Sequence, residues 1–123
     1  MEKDKTQSFT KLTAWIVAME LLDHVYKVLP LLPLSERNNL YDQLQRAATS
    51  VVGNLSEGLS RMTPADKIHR FCIARSECAE VHSYFLFMIK IGYMDRALLE
   101  QGVQLAIRTG KLITGLIKAQ RRR

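Results

Sequence analysis

Three breaks at near-even intervals cut this chain into four stretches, each carrying apolar residues at helical spacing, and nowhere do apolar and polar residues alternate as they would along a strand. The first break is Pro30 with Pro33, since proline can neither donate to nor fit inside a helix. The second is Thr63-Pro64 with Asp66, a capping hydroxyl, a proline at the first helical position and an acid in the first turn. The third is Gly92, suited to a left-handed helix end, followed by Asp95 as a cap. The pattern predicts helices over about 8–29, 36–59, 64–91 and 95–118 with a basic tail at 118–123, and Ser35 is expected to cap the second helix with Glu36 in its first turn. Long helices with short connections give an all-α, up-down-up-down four-helix bundle, read as one domain over 1–123.

The apolar surface exceeds the needs of one core. In the first helix Phe9, Leu12, Ile16, Met19, Leu22, Tyr26 and Leu29 are the expected core stripe. Trp15, Val17, Ala18, Leu21, Val25 and Val28 lie off it and leave only a thin polar line through Thr13, Glu20, His24 and Lys27. In the third helix Tyr84, Phe85, Leu86, Phe87, Met88 and Ile89 are consecutive and cover every side. A homo-oligomer is therefore expected.

The second helix carries two stripes. Leu40, Leu44, Ala47, Val51, Leu55 and Gly58 form the apolar one, and Gln43, Arg46, Ser50, Asn54, Glu57 and Arg61 stack turn over turn beside it. A polar row at a core border needs partners, because half-buried polar groups are costly alone. A hairpin between the second and third helices brings Arg46 near Glu77 and Gln43 near Glu80, so Arg46 is expected to bond Glu77 or Glu80 across the seam. Glu57 and Arg61 form a one-turn pair within the helix.

Taken together, Leu40, Gln43, Arg46, Ala47, Ala48, Ser50, Asn54, Glu57, Gly58 and Arg61, followed by Phe71, Ile73, Ala74, Ser76 and Glu80, resemble the bacterial four-helix-bundle proteins encoded by intervening sequences within 23S ribosomal RNA genes. That fold group also includes the accessory variability determinant protein of diversity-generating retroelements. The resemblance covers nearly the whole chain, about Phe9 to Ile117. It implies a ring of five subunits around a central channel, and its retroelement member suggests an accessory role to a reverse transcriptase engaged with template RNA. Val51-Val52 and Leu55 stand where the family more often has isoleucine, and Arg75 where a small residue is commoner.

The formal net charge of +6 is unevenly placed. Residues 1–100 carry 12 Lys and Arg against 12 Asp and Glu; the rest of the chain carries Arg108, Lys111, Lys118, Arg121, Arg122 and Arg123 with no acid. Arg108, Lys111, Lys118 and Arg122 share one helical face with Gly115 between them, and Gln101 and Gln104 extend the line, opposite a core stripe of Leu99, Val103, Ala106, Gly110, Ile113 and Ile117. Such a basic amphipathic helix is either a solvated face with a favourable dipole at its end or a binding surface for the phosphates of RNA or DNA. A second class of function is a protein-interaction scaffold whose basic tail docks an acidic partner.

Catalytic residues, cofactors and metal ligands are not expected, and the protein is read as non-enzymatic. A di-iron bundle needs paired Glu-x-x-His motifs, which are absent from the sequence, and Ser50, Ser76 and Ser83 sit on helices rather than on a strained turn. Cys72 and Cys78 lie on one helix pointing apart, roughly 9 Å along its axis, and cannot pair with each other. They read as small hydrophobes in a reducing compartment. With neither a signal-like N-terminus nor a spanning apolar run, the expectation is a soluble cytoplasmic protein without membrane attachment.

Overall fold

The computed structural model describes the backbone of residues 2–122 and the side chains of 11–122. It is a four-helix bundle: α1 is Glu2–Val28, α2 Asp42–Ser60, α3 Pro64–Ile91 and α4 Arg96–Arg121. Helix α3 packs against α2 and α4, and α1 against α4 and α2, so α1 and α3 stand diagonally across the core. The described residues form helices and turns without strands.

The helix ends follow local chemistry. The Thr63 hydroxyl accepts the amide N–H of Asp66 at 3.2 Å, and Pro64 opens α3. Gly92 ends it in the left-handed region at φ 81°, its amide reaching the Met88 carbonyl at 2.8 Å. Asp95 precedes α4, though no side-chain cap forms there; its backbone carbonyl accepts from Leu99 N–H at 3.3 Å.

Entry into α2 differs from the expected Ser35 cap. Leu34–Glu36 forms a 3-10 turn, Arg37–Tyr41 a π-helical turn, and regular α-helix begins only at Asp42. Pro33 occupies the position before the 3-10 turn and makes no side-chain cap, while Glu36 accepts from Tyr93 and Asn39 instead of serving a helix start. Pro33, extended at φ −65° and ψ 152°, interrupts the helical run, and the chain winds back into helix through these two turns.

The α2 apolar stripe is the core face: Leu44, Val51 and Leu55 are fully buried, with Leu40, Ala47 and Gly58 beside them. In α1 the two apolar stripes exchange roles. Val17, Ala18, Leu21, Val25 and Val28 are buried, whereas Leu12, Trp15, Ile16 and Tyr26 are exposed. Met19 and Leu22 are half-buried and Leu29 is buried, while the side chain of Phe9 lies outside the described residues. The buried stripe is mostly valine and alanine, and Trp15, Ile16 and Tyr26 face outward.

His24, expected on a polar line, is buried, and its Nε2 lies 2.8 Å from the Leu98 carbonyl oxygen. A carbonyl only accepts, so Nε2 carries the proton. Two close approaches hold α3 in place: a Cβ at Gly58 would fall 2.5 Å from the Phe71 ring, and one at Gly102 would fall 2.4 Å from the Phe85 ring. The fully buried phenyl rings of Phe71 and Phe85 thus occupy the volume that side chains on α2 and α4 would have taken.

Candidate nucleic-acid interface

Helix α4 is built as the sequence pattern required on its core side and extends farther at its end. Leu99, Ala106, Ile113 and Ile117 are buried as expected, joined by Gly102, Thr109, Leu116 and Gln120; Val103 and Gly110 are only half-buried. The helix continues to Arg121, so the start of the basic tail is its last turn. Gln120 is buried there with an Oε1 that accepts no hydrogen bond from the described residues.

Arg108, Lys111, Gly115, Lys118, Arg121 and Arg122 are all exposed, as are Gln101 and Gln104. Arg123 falls outside the described residues. Four other cations pair with carboxylates one turn away at 2.7–3.0 Å: Lys27 with Asp23, Arg46 with Asp42, Arg61 with Glu57 and, at the start of α4, Arg96 with Glu100. Among the described residues no such pair involves Arg108, Lys111, Lys118, Arg121 or Arg122. The positive charge of the C-terminal half of α4 is therefore uncompensated within the helix.

Packing of α3 against α4 adds what the sequence pattern did not show. An open groove of about 500 Å³ runs between them, with Arg75 and His82 on one wall, Lys111 and Lys118 on the other, and Ala79, Ala106, Gly110 and Gly115 giving it a shallow, side-chain-poor floor. No carboxylate lines it. Arg75 and His82 were missed because they stand a helix away from the basic run; only the antiparallel register of α3 and α4 unites them. Arg108 and Arg122 sit on the outer face of α4, away from the groove lining.

Beneath the groove, Cys78 is buried and its thiol donates to the Ala106 carbonyl at 3.2 Å. Burial pushes that thiol up to about 11. A thiol so high is protonated and unreactive at neutral pH. Cys72 is half-buried and free.

The polar seam along α2 and α3 has a different character. Gln43, Arg46 and Glu57 are exposed; Ser50, Asn54 and Arg61 are half-buried. Arg46 does not cross to Glu77 or Glu80 but pairs with Asp42 on its own helix at 2.7 Å, with roughly three-quarters of its side chain (74%) in solvent. A partner one turn away requires no bending of the long guanidinium stem, whereas crossing the seam would. Glu57 and Arg61 pair at 3.0 Å.

Arg70 makes the crossing instead: its Nη1 donates to Asn54 Oδ1 at 3.3 Å, and Asn54 Nδ2 donates in turn to Ser50 Oγ at 2.9 Å within α2. The Tyr84 hydroxyl lies 2.7 Å from Glu80 Oε1 and 2.8 Å from Gln43 Oε1, bridging the pair that the hairpin register placed together. Burial and then the hydrogen bond to Glu80 push the Tyr84 phenol up to about 12. Glu77, raised by burial and by the neighbouring Glu80, makes no seam bond of its own among the described residues.

From the same Gln43 the bonds continue toward the start of α2: Gln43 Nε2 donates to Asn39 Oδ1 at 2.7 Å, Asn39 Nδ2 to Glu36 Oε1 at 3.1 Å, and Tyr93 Oη to Glu36 Oε2 at 2.5 Å. Glu36 is held below its ordinary value by the Tyr93 and Asn39 bonds. The seam is thus a tie between helices, with no nucleophile–base pair in it. Among the described residues no cluster of His, Cys, Asp or Glu could hold a metal ion, and no helix is long and apolar enough to cross a membrane.

Comparison with known proteins gives this geometry a setting. The family described as 23S rRNA-intervening sequence protein matches residues 10–115. Among solved structures, the chain is similar to a protein of unknown function from the S23 ribosomal protein family of Bacteroides thetaiotaomicron, with a TM-score of 0.81 and 21% identity over 89% of this chain and 98% of that one. The likeness is one of fold. No curated protein matches the sequence.

Proposed function

Because this chain belongs to the 23S rRNA-intervening sequence protein family, we propose that it is a non-enzymatic, homo-oligomeric protein that binds the phosphate backbone of RNA or DNA through α4. The observation that carries the reading is the run of Arg108, Lys111, Lys118, Arg121 and Arg122 along the C-terminal half of α4, all exposed and none paired with a carboxylate among the described residues. Uncompensated, exposed positive charge in a line is what a polyanion recognises, by releasing its condensed counterions. An accessory role to a reverse transcriptase would use the same surface to hold template RNA.

Oligomerisation is supported by apolar surface on opposite sides of the bundle. Leu12, Trp15, Ile16 and Tyr26 are exposed on α1, and Leu86, Phe87 and Ile91 on α3. Two unlike patches on diagonal helices suit a head-to-tail contact, which closes into a ring when the rotation allows; five copies is the number the family resemblance implies. A ring repeats the basic strip on every subunit and raises avidity for a long strand.

The test is binding of labelled RNA and duplex DNA by the full chain across a salt series, beside Arg108→Glu and Lys118→Glu. Affinity should fall steeply with salt, and each variant should flatten the slope of log K against log salt by about 0.7–0.9 per lost phosphate contact. Absence of binding even at low salt would favour the scaffold reading, with the basic end docking an acidic protein.

A further inference from the structure

We propose that the groove between α3 and α4 is a binding channel for one unpaired strand of nucleic acid, gripped from both walls, with Arg75 and His82 of α3 as binding residues alongside Lys111 and Lys118. The inference rests on the nucleic-acid reading above and adds the strandedness of the ligand and the second wall of the site.

Three observations carry it. Arg75 and Lys111 stand on facing walls of a concavity that no acid lines. The Cys78–Ala106 contact fixes the antiparallel register, setting Arg75 within a turn of Lys111. Lys118 lies two turns to one side and His82 two turns to the other, each roughly 10.5 Å away along the helices. Three cations thus follow the channel, with the His82 side chain as a polar group at its far end, as a backbone needs, and they do not converge on a single anion pocket.

The size of the groove selects the ligand. It is an open groove of about 500 Å³, the scale of a small-molecule site, roughly 300–1,000 Å³. A single backbone fits between two packed helices whose axes lie about 8–10 Å apart, whereas a duplex is too broad to enter and would meet only the exposed cations at the rim. Finally, the floor is left empty: at both Gly110 and Gly115 an added Cβ would meet nothing within 4 Å, so neither glycine is required by packing. Gly110 is an unfavourable residue in a helix interior, and its bare backbone leaves the channel open.

The experiment compares unstructured oligo-U and oligo-dT with a duplex of equal length on the full-length protein and on Gly110→Leu, Gly53→Leu and Arg75→Ala. Gly110→Leu fills the channel without altering charge, and leucine is the better helix former, so the melting temperature should hold or rise. Gly53→Leu makes the same exchange at an open position on α2 and serves as the folding control.

The expected result is single-strand affinity reduced at least about tenfold by Arg75→Ala, the size of one lost charged contact, and by a comparable factor by Gly110→Leu through occlusion. Duplex affinity should change by less than about twofold, and Gly53→Leu should match wild type. Equal loss of duplex and single-strand binding, or no loss with Gly110→Leu while wild type binds well, overturns the channel and leaves α4 binding standing. If wild type holds no polyanion at all, both readings fall together. Preference for oligo-U over oligo-dT, or the reverse, would identify the strand as RNA or DNA.

Discussion

At Gly102 the ring of Phe85 fills the space a side chain would take. Gly102→Ala should therefore destabilise the protein by about 1–3 kcal/mol through overpacking, even though alanine favours a helix interior by roughly 1 kcal/mol. Chemical denaturation measures it, and a midpoint that rises would show that the ring can yield. At this scale the sequence was legible where a residue acts on its own neighbours, as with Thr63 and Gly92. It was misleading where two partners compete. Arg46 had Asp42 one turn away and Glu77 or Glu80 across a seam, and the near carboxylate won. Arg75 and His82 could not be joined to Lys111 and Lys118 from spacing alone, because they meet only through the packing of two helices.

Among the helices, α3 is the one with both ends chemically specified. Replacing its cap, Thr63→Ala, removes the acceptor for the Asp66 amide and should cost about 1 kcal/mol, read as an earlier thermal midpoint with unchanged helical content at low temperature. An unchanged midpoint would mean that water serves that amide as well. The periodicity of α2 and α4 revealed their buried faces because each has one apolar and one polar side. Helix α1 has two apolar stripes, so periodicity could not rank them, and the packing of the bundle buried Val17, Ala18, Leu21 and Val25. The 3-10 and π-helical turns before α2 were illegible for another reason: their hydrogen bonds span different numbers of residues, while Ser35 and Glu36 imitate an ordinary helix start.

For the molecule as a whole, the excess of apolar surface noticed in the sequence proves to be distributed on diagonal helices. Trp15→Glu on α1 and Phe87→Glu on α3 should each lower the mass measured by light scattering while leaving the circular dichroism helical. If neither variant changes the mass, these faces do not join copies of the chain. Mixing the two variants should not restore the full assembly, because every head-to-tail closure needs both faces intact on each subunit.

The two thiols give the folded chain an asymmetric response to oxidants. Cys78 is sealed under the α3–α4 contact with its proton held, and Cys72, half-buried on the same helix, points elsewhere. A disulfide between them is geometrically closed off, so oxidation cannot staple this bundle from within. Any crosslink the folded chain forms has to run from Cys72 to a thiol on another molecule, which makes that single sulfur a natural reporter of which neighbours α3 keeps.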